Sequence, residues 1–304
     1  MIQLQKYTWL IDTIRRAGRI SLEEISERWE HNKELSDCKP LSRATFNRWK
    51  DAIFSQFGII ISCQRTGGYL YYIENPEDID EDELKKWMLD SFAVSNLISE
   101  NLSLKDRILV DPIPSAHNYL ATLLQAMKEN RTVTITYCGF GKSRSYTFPI
   151  EPYCVKLFEN RWYVLAHNVH YGEIRIYGLD RIESIALTGD TFKLPKDFSA
   201  SAYFSPFYGI VTNMDIKPER IVVRASKEHV PYMNSLPLHR SQSLLKDYGD
   251  YADFELYLAP TYDFVMRLLH VGAMIEVLAP ESLRQTMKGW IWEMYEIYKD
   301  DVAM

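Results

Sequence analysis

The chain has 304 residues, 46% hydrophobic and 25% charged, with a formal net charge of −6; this is globular composition, with a length prior of about two domains. No apolar run approaches the roughly 20 residues that span a bilayer, and MIQLQKYTWLIDTIRRAGR is too broken by charge for a secretory signal, so a cytoplasmic location is expected. Cys38, Cys63, Cys138 and Cys154 lie far apart with no C-x-x-C pair, which indicates neither a disulfide framework nor a zinc site. The charge is uneven: +2 over residues 1–75, −6 over 76–115, +2 over 116–200 and −4 over 201–304. The acidity therefore sits in a connector and the C-terminal part, leaving two mildly basic blocks.

In the first block, Leu4, Tyr7, Leu10, Ile11 and Ile14 recur at helical spacing. After Ala17-Gly18-Arg19, Ser21 and Glu24 read as a capping box opening a second helix. Beyond a polar loop ending in Pro40, Ser42 caps a third helix through about Phe57, whose inner stripe is Phe46, Trp49, Ile53 and Phe57. Its other side carries Arg43, Asn47, Arg48 and Lys50. Two apolar strands around Gln64-Arg65-Thr66-Gly67-Gly68 then read as a hairpin. Three helices and a hairpin make the winged helix-turn-helix plan, in which the third helix enters the major groove and the wing touches the backbone. Arg43 and Asn47 are the candidate base readers, Arg suiting guanine and Asn adenine. Ser42, Arg48, Lys50 and Arg65 are candidate phosphate contacts. The competing reading is a small helical domain with a solvated basic face.

Residues 76–115 begin with Pro76 and a run of acids and then read helical. Leu84, Trp87, Met88, Phe92, Val94 and Leu97 are too apolar for a free linker. They predict packing on another helix, in this chain or in a second subunit; the second case makes this a dimerisation helix and the protein a homodimer.

Residues 116–130 predict an amphipathic helix, followed by five short strands at 132–137, 144–150, 161–167, 173–178 and 182–187. This order suggests a small SH3- or Sm-like barrel over 116–200. With a turn at Asn168–Gly172, His167 falls opposite Glu173, Leu165 opposite Arg175 and Tyr163 opposite Tyr177. Period-2 alternation then places Tyr163, Leu165, His167, Arg175 and Tyr177 on an outer polar face, and Trp162, Val164, Ala166, Ile174 and Ile176 in the core.

Arg161-Trp162-Tyr163-Val164, followed by Arg175-Ile176-Tyr177-Gly178-Leu179-Asp180-Arg181-Ile182, resembles the signature of WYL-domain proteins. Ile135-Thr136-Tyr137 and Glu151-Pro152-Tyr153 are similar to the family's upstream pattern. Val164 replaces the Leu of the name and Tyr177 stands where Phe is usual; both keep the physical character of the position. The resemblance implies a bacterial transcription regulator built as winged helix, WYL barrel and C-terminal extension. It also implies an effector site on the barrel for nucleic acid or nucleotides, single-stranded DNA being known for some relatives. The positions it marks are Tyr163, Arg175 and Arg181, with Arg144, Tyr153 and His167 as neighbours. Aromatics interleaved with Arg stack bases and hold phosphates; the bland alternative is cross-strand pairs that stabilise an exposed sheet.

From 218 the order strand, helix, strand, strand, helix, strand predicts a ferredoxin-like βαββαβ unit over 201–304, closed by a further helix. LPLHRSQSLL is similar to the C-terminal WCX-type extension of WYL regulators, and His239 and Arg240 are candidate contacts there. His167, His170 and Glu173 straddle a turn and read as solvated side chains, so no metal or cofactor is expected. Paired carboxylates, a Ser/His/Asp arrangement and a phosphate-cradling glycine loop do not emerge, and an enzyme is not expected. The leading expectation is an α+β multidomain regulator that binds a double-stranded DNA operator and answers a nucleic-acid or nucleotide effector. The alternatives are a sensor of small metabolites or peptides, and an accessory to a nucleic-acid-processing enzyme.

Overall fold

The computed structural model describes residues 2–66, 68–109 and 117–299. Gly67 of the expected wing turn, and the boundary expected at 115/116, lie outside the described residues. The chain divides into two compact units, 1–111 and 112–304.

The first unit contains α1 (Ile2–Ala17), α2 (Leu22–His31), a short α3 (Lys33–Ser36) and α4 (Arg43–Phe57). A hairpin of β1 (Ile61–Gln64) and β2 (Leu70–Ile73) follows, then α5 (Glu77–Glu81) and α6 (Glu83–Glu100). The Ser21 capping box forms as expected, with reciprocal bonds between Ser21 and Glu24. Ser42 caps α4 by accepting from the Thr45 N–H at 3.2 Å. Leu10, Ile14, Ile25, Phe46 and Ile53 are fully buried in one core with Trp9, Trp29 and Trp49, whose indoles meet edge to face at 5.0 Å. Helix α3 was not anticipated; it lies in the stretch read as polar loop, where the Asn32 side chain accepts from the Leu35 N–H and caps it. A bridge between Ile20 and Tyr71 ties the segment before α2 to the hairpin.

The connector helix packs within its own chain. Asn96, buried on α6, donates to Thr8 and to the Gln5 carbonyl of α1, and Arg15 pairs with Asp90 at 2.9 Å and Asp80 at 3.4 Å.

In the second unit, α7 (Leu120–Glu129) precedes β3 (Arg131–Tyr137), β4 (Tyr146–Phe158), β5 (Arg161–Asn168), β6 (Glu173–Gly178) and β7 (Ile182–Thr191). These strands form one antiparallel sheet in the order β6-β5-β4-β3-β7. The expected barrel is not closed: among the described residues no ladder joins β6 to β7. The 3-10 turn Leu179–Arg181 carries the chain between those two edges instead. Strand β4 runs through Phe158, well past its expected end at 150, and absorbs Pro152 beside a bulge that leaves Tyr153 without a ladder partner. Leu123 and Ala126 of α7 bury against Val133, Ile135, Ile150, Val164 and Ala166.

The hairpin β5–β6 corrects the expected faces. Asn168 pairs with Glu173, so Val164 lies opposite Tyr177, Leu165 opposite Ile176 and Ala166 opposite Arg175. This is a slip of one residue, which sends every β6 side chain to the other face. Tyr177 is therefore inside with Val164 and Ala166, while Ile174 is exposed. The cause is Asn168. Fully buried, it donates to the Tyr177 hydroxyl at 2.7 Å and accepts from the His170 and Tyr171 amides at 3.0 Å. It thus stays in the strand and shortens the turn. Tyr163 and Leu165 are buried as well, so the outer polar face expected for β5 does not exist.

Helix α8 (Ala200–Phe204) leads to β8 (Glu219–Ser226), α9 (Val230–Ser235), β9 (Ser243–Asp247), β10 (Tyr251–Leu258), α10 (Tyr262–Val271), β11 (Ile275–Ala279) and α11 (Glu281–Tyr298). The elements follow the expected β-α-β-β-α-β order, with an antiparallel sheet ordered β11-β8-β10-β9. Its core joins Ile221, Val223, Phe254 and Leu256 to Phe264 and Leu268 of α10 and Leu283 and Met287 of α11. No described helix is long and apolar enough to cross a membrane.

Candidate functional site

The first candidate surface is the outer side of α4 with the β1–β2 hairpin. Burial of Phe46, Trp49 and Ile53 fixes the rotation of α4, leaving Arg43, Asn47 and Arg48 exposed and Lys50 half-buried. At about 100° per residue, Arg43, Asn47 and Lys50 share one stripe, and Arg48 lies roughly a third of a turn away. Arg65 is exposed at the tip of the hairpin. Arg43, Arg48, Lys50 and Arg65 have no carboxylate partner among the described residues, whereas Arg15 and Arg16 do. Arg43 also lines a groove of about 340 Å³ with Ser21, Glu23, Gly68, Tyr69 and Tyr71, so the first turn of α4 faces the hairpin. Ser42 is exposed, with its hydroxyl committed to the cap and to Thr45 Oγ1.

The second candidate surface gathers around the turn after β6. Arg161 donates to Asp180 at 3.1 Å, and Asp180 lies 3.8 Å from Arg181. Asp180 Oδ1 and Arg181 Nε are shielded from solvent and have no hydrogen-bond partner. The Arg181 guanidinium sits 4.7 Å from the Phe140 ring and 5.5 Å from that of Tyr137. Gly178 makes this packing feasible: a Cβ there would come within 2.6 Å of both Asp180 Oδ1 and an Arg181 terminal nitrogen. Tyr163 stands opposite Gly178 and Lys156. Burial raises its phenol pKa, and the nearby Asp180 carboxylate adds to the rise. Lys156 donates to the Gly209 carbonyl at 2.8 Å and lies 4.2 Å from the Phe204 ring. Burial pulls its ammonium below the ordinary lysine value, against an opposing effect of Asp263.

The six residues expected at an effector site do not all meet. Tyr163 and Arg181 share the cluster just described. His167 bonds Glu151 at 3.0 Å; it is four residues along β5 from Tyr163, about 13 Å. Arg175 is held at the hairpin tip by Glu173 at 2.9 Å and by the Tyr171 ring at 4.1 Å. Tyr153 packs against Phe192 and Phe198, and burial raises its pKa. Arg144 is exposed in the loop between β3 and β4. Phe140, Arg161 and Asp180 were missed as site members; the signal available for Phe140 was an aromatic flanked by two glycines between strands. In the C-terminal sheet region, His239 is half-buried between Ser241 at 2.7 Å and the Ser205 carbonyl at 3.1 Å, while Arg240 is exposed. Among the described residues, no group of three or more His, Cys, Asp or Glu side chains could hold a metal ion.

Comparison with known proteins now defines the class. Residues 118–187 match the WYL domain and residues 217–295 match the WCX domain. The chain therefore contains a WYL domain followed by a WCX domain. Among solved structures it is similar to proteasome accessory factor B/C (PafBC) of Arthrobacter aurescens, at 17% identity and TM-score 0.28, over 86% of this chain and 44% of that one. It is also similar to a CRISPR Cas-related protein, at 10% identity and TM-score 0.39, over 90% of this chain and 79% of that one. The chain thus spans less than half of the PafBC chain. No curated protein matches it.

Proposed function

We propose that this protein is a non-catalytic transcription regulator whose residues 1–75 bind a double-stranded DNA operator and whose WYL domain senses a nucleic-acid or nucleotide-type effector. The observation that carries the DNA-binding half is the set of cations Arg43, Arg48, Lys50 and Arg65, grouped on one helix and a hairpin tip, with no carboxylate partner among the described residues. Phosphate contacts by Arg48, Lys50 and Arg65 position the helix, and Arg43 and Asn47 on the α4 stripe read base edges. The WYL match and the Tyr137–Phe140–Arg181 cluster support the sensing half. Effector binding favours one of two arrangements of the protein and so changes operator affinity.

The test is selection of bound duplexes from a random pool by the full chain, followed by titration of the enriched sequence. Arg43→Ala combined with Asn47→Ala is expected to remove sequence preference, at about 1–3 kcal/mol per lost base contact. Enrichment of no sequence, or equal binding by the folded double variant, defeats the reading.

A further inference from the structure

Phe140 forms the tip of the β3–β4 loop, between Gly139 and Gly141, and the φ of +72° at Gly141 turns the chain back. Its ring is 71% exposed, so it contributes little to any core. Two backbone bonds fix the loop: the Cys138 N–H donates to the Arg181 carbonyl at 3.0 Å, and the Lys142 N–H to the Gly139 carbonyl at 3.1 Å. They hold an open aromatic face 4.7 Å from the guanidinium of Arg181, a partly exposed side chain whose buried Nε faces Asp180 Oδ1 at 3.8 Å. A water-exposed phenyl ring and a partly exposed arginine side by side complement what a nucleotide presents, a flat apolar base joined to an anionic phosphate.

We infer that Phe140 is the base-stacking residue of the effector site, with Arg181 holding the adjoining phosphate. The inference rests on the effector reading above and narrows it: the site recognises the nucleobase as well as the charge. Base–aromatic stacking is sequence-tolerant, since every base has a π-face.

The experiment uses the full chain and fluorescence anisotropy of a short labelled oligothymidylate, beside an abasic strand with the same phosphates. Phe140→Ala is expected to weaken oligothymidylate binding about tenfold, in the range for one lost stack. Phe140→Trp should keep the affinity, and Phe140→Ala should leave the abasic strand unaffected. Arg181→Ala should weaken both strands. Full binding by Phe140→Ala, with loss in Arg181→Ala, overturns the stacking role and leaves the effector site standing. Equal weakening of both strands by Phe140→Ala also overturns it, because the ring would then only position Arg181. If the folded wild type binds neither strand, the effector reading falls and this inference with it. Within a positive result, displacement by unlabelled thymidine monophosphate assigns the site to free nucleotides, and resistance to it assigns the site to a strand.

Discussion

Asn168 sets the geometry of the WYL hairpin through three hydrogen bonds made in a fully buried position. Replacing it by Ala leaves the buried Tyr177 hydroxyl without that partner, at about 1–3 kcal/mol, while the amides of the exposed His170 and Tyr171 turn to water. Asn168→Ala is expected to destabilise the protein by about 2–3 kcal/mol, read from the urea midpoint of the full chain. His239 is a second residue with a definite consequence. The Ser205 carbonyl can only accept, so Nε2 carries the proton and Nδ1 accepts from Ser241. Burial lowers the pKa of His239 below the ordinary histidine value, with Arg240 and Lys156 adding to the effect against the Ser205 bond. A histidine with a depressed folded pKa gives its full stability above the unfolded value, about 6.5, and loses it as the pH falls through the folded value. The wild type should therefore lose melting temperature on acidification below about pH 6.5 more steeply than His239→Gln. Parallel pH curves for the two proteins would refute the assignment.

At the level of elements, local signals located most of the structure. The capping box at Ser21, the cap at Ser42 and the stripe Phe46–Trp49–Ile53 act within a turn or two of chain, and α2 and α4 form where they place them. The site was less legible. Alternation along β5 and β6 was read correctly as strand, yet the pairing depends on whether Asn168 belongs to the strand or to the turn. That is settled by a hydrogen bond to Tyr177, nine residues away, and by the partners that cover β5 on both faces. A slip of one residue was enough to invert β6, turning Tyr177 inward and Ile174 outward. Arg181 and Phe140 show the same limit. They are forty-one positions apart in sequence and meet because β3 and β7 are adjacent in the sheet.

For the whole molecule, α6 carries the expectation with the widest reach. It buries Leu89 and Asn96 against the core of the first unit, and on its opposite side it exposes Leu84, Trp87 and Val94. Their spacing of three and seven residues is that of a helix seam, which suits a second copy of the chain and the twofold geometry of many operators. Sedimentation at micromolar concentration is expected to give a homodimer, and Leu84→Glu with Val94→Glu to give a folded monomer. A monomeric wild type would reject the dimer. What the sequence by itself determined was whatever is encoded in neighbouring residues: the order of helices and strands, their caps, the unbalanced cations of α4 and the wing, and the WYL signature. Tertiary structure alone decided that the five-stranded sheet stays open, which face of the β5–β6 hairpin is inside, and that Tyr137, Phe140 and Arg181 converge. Those outcomes turn on register and on contacts between distant strands, which a periodic pattern of side chains leaves undetermined.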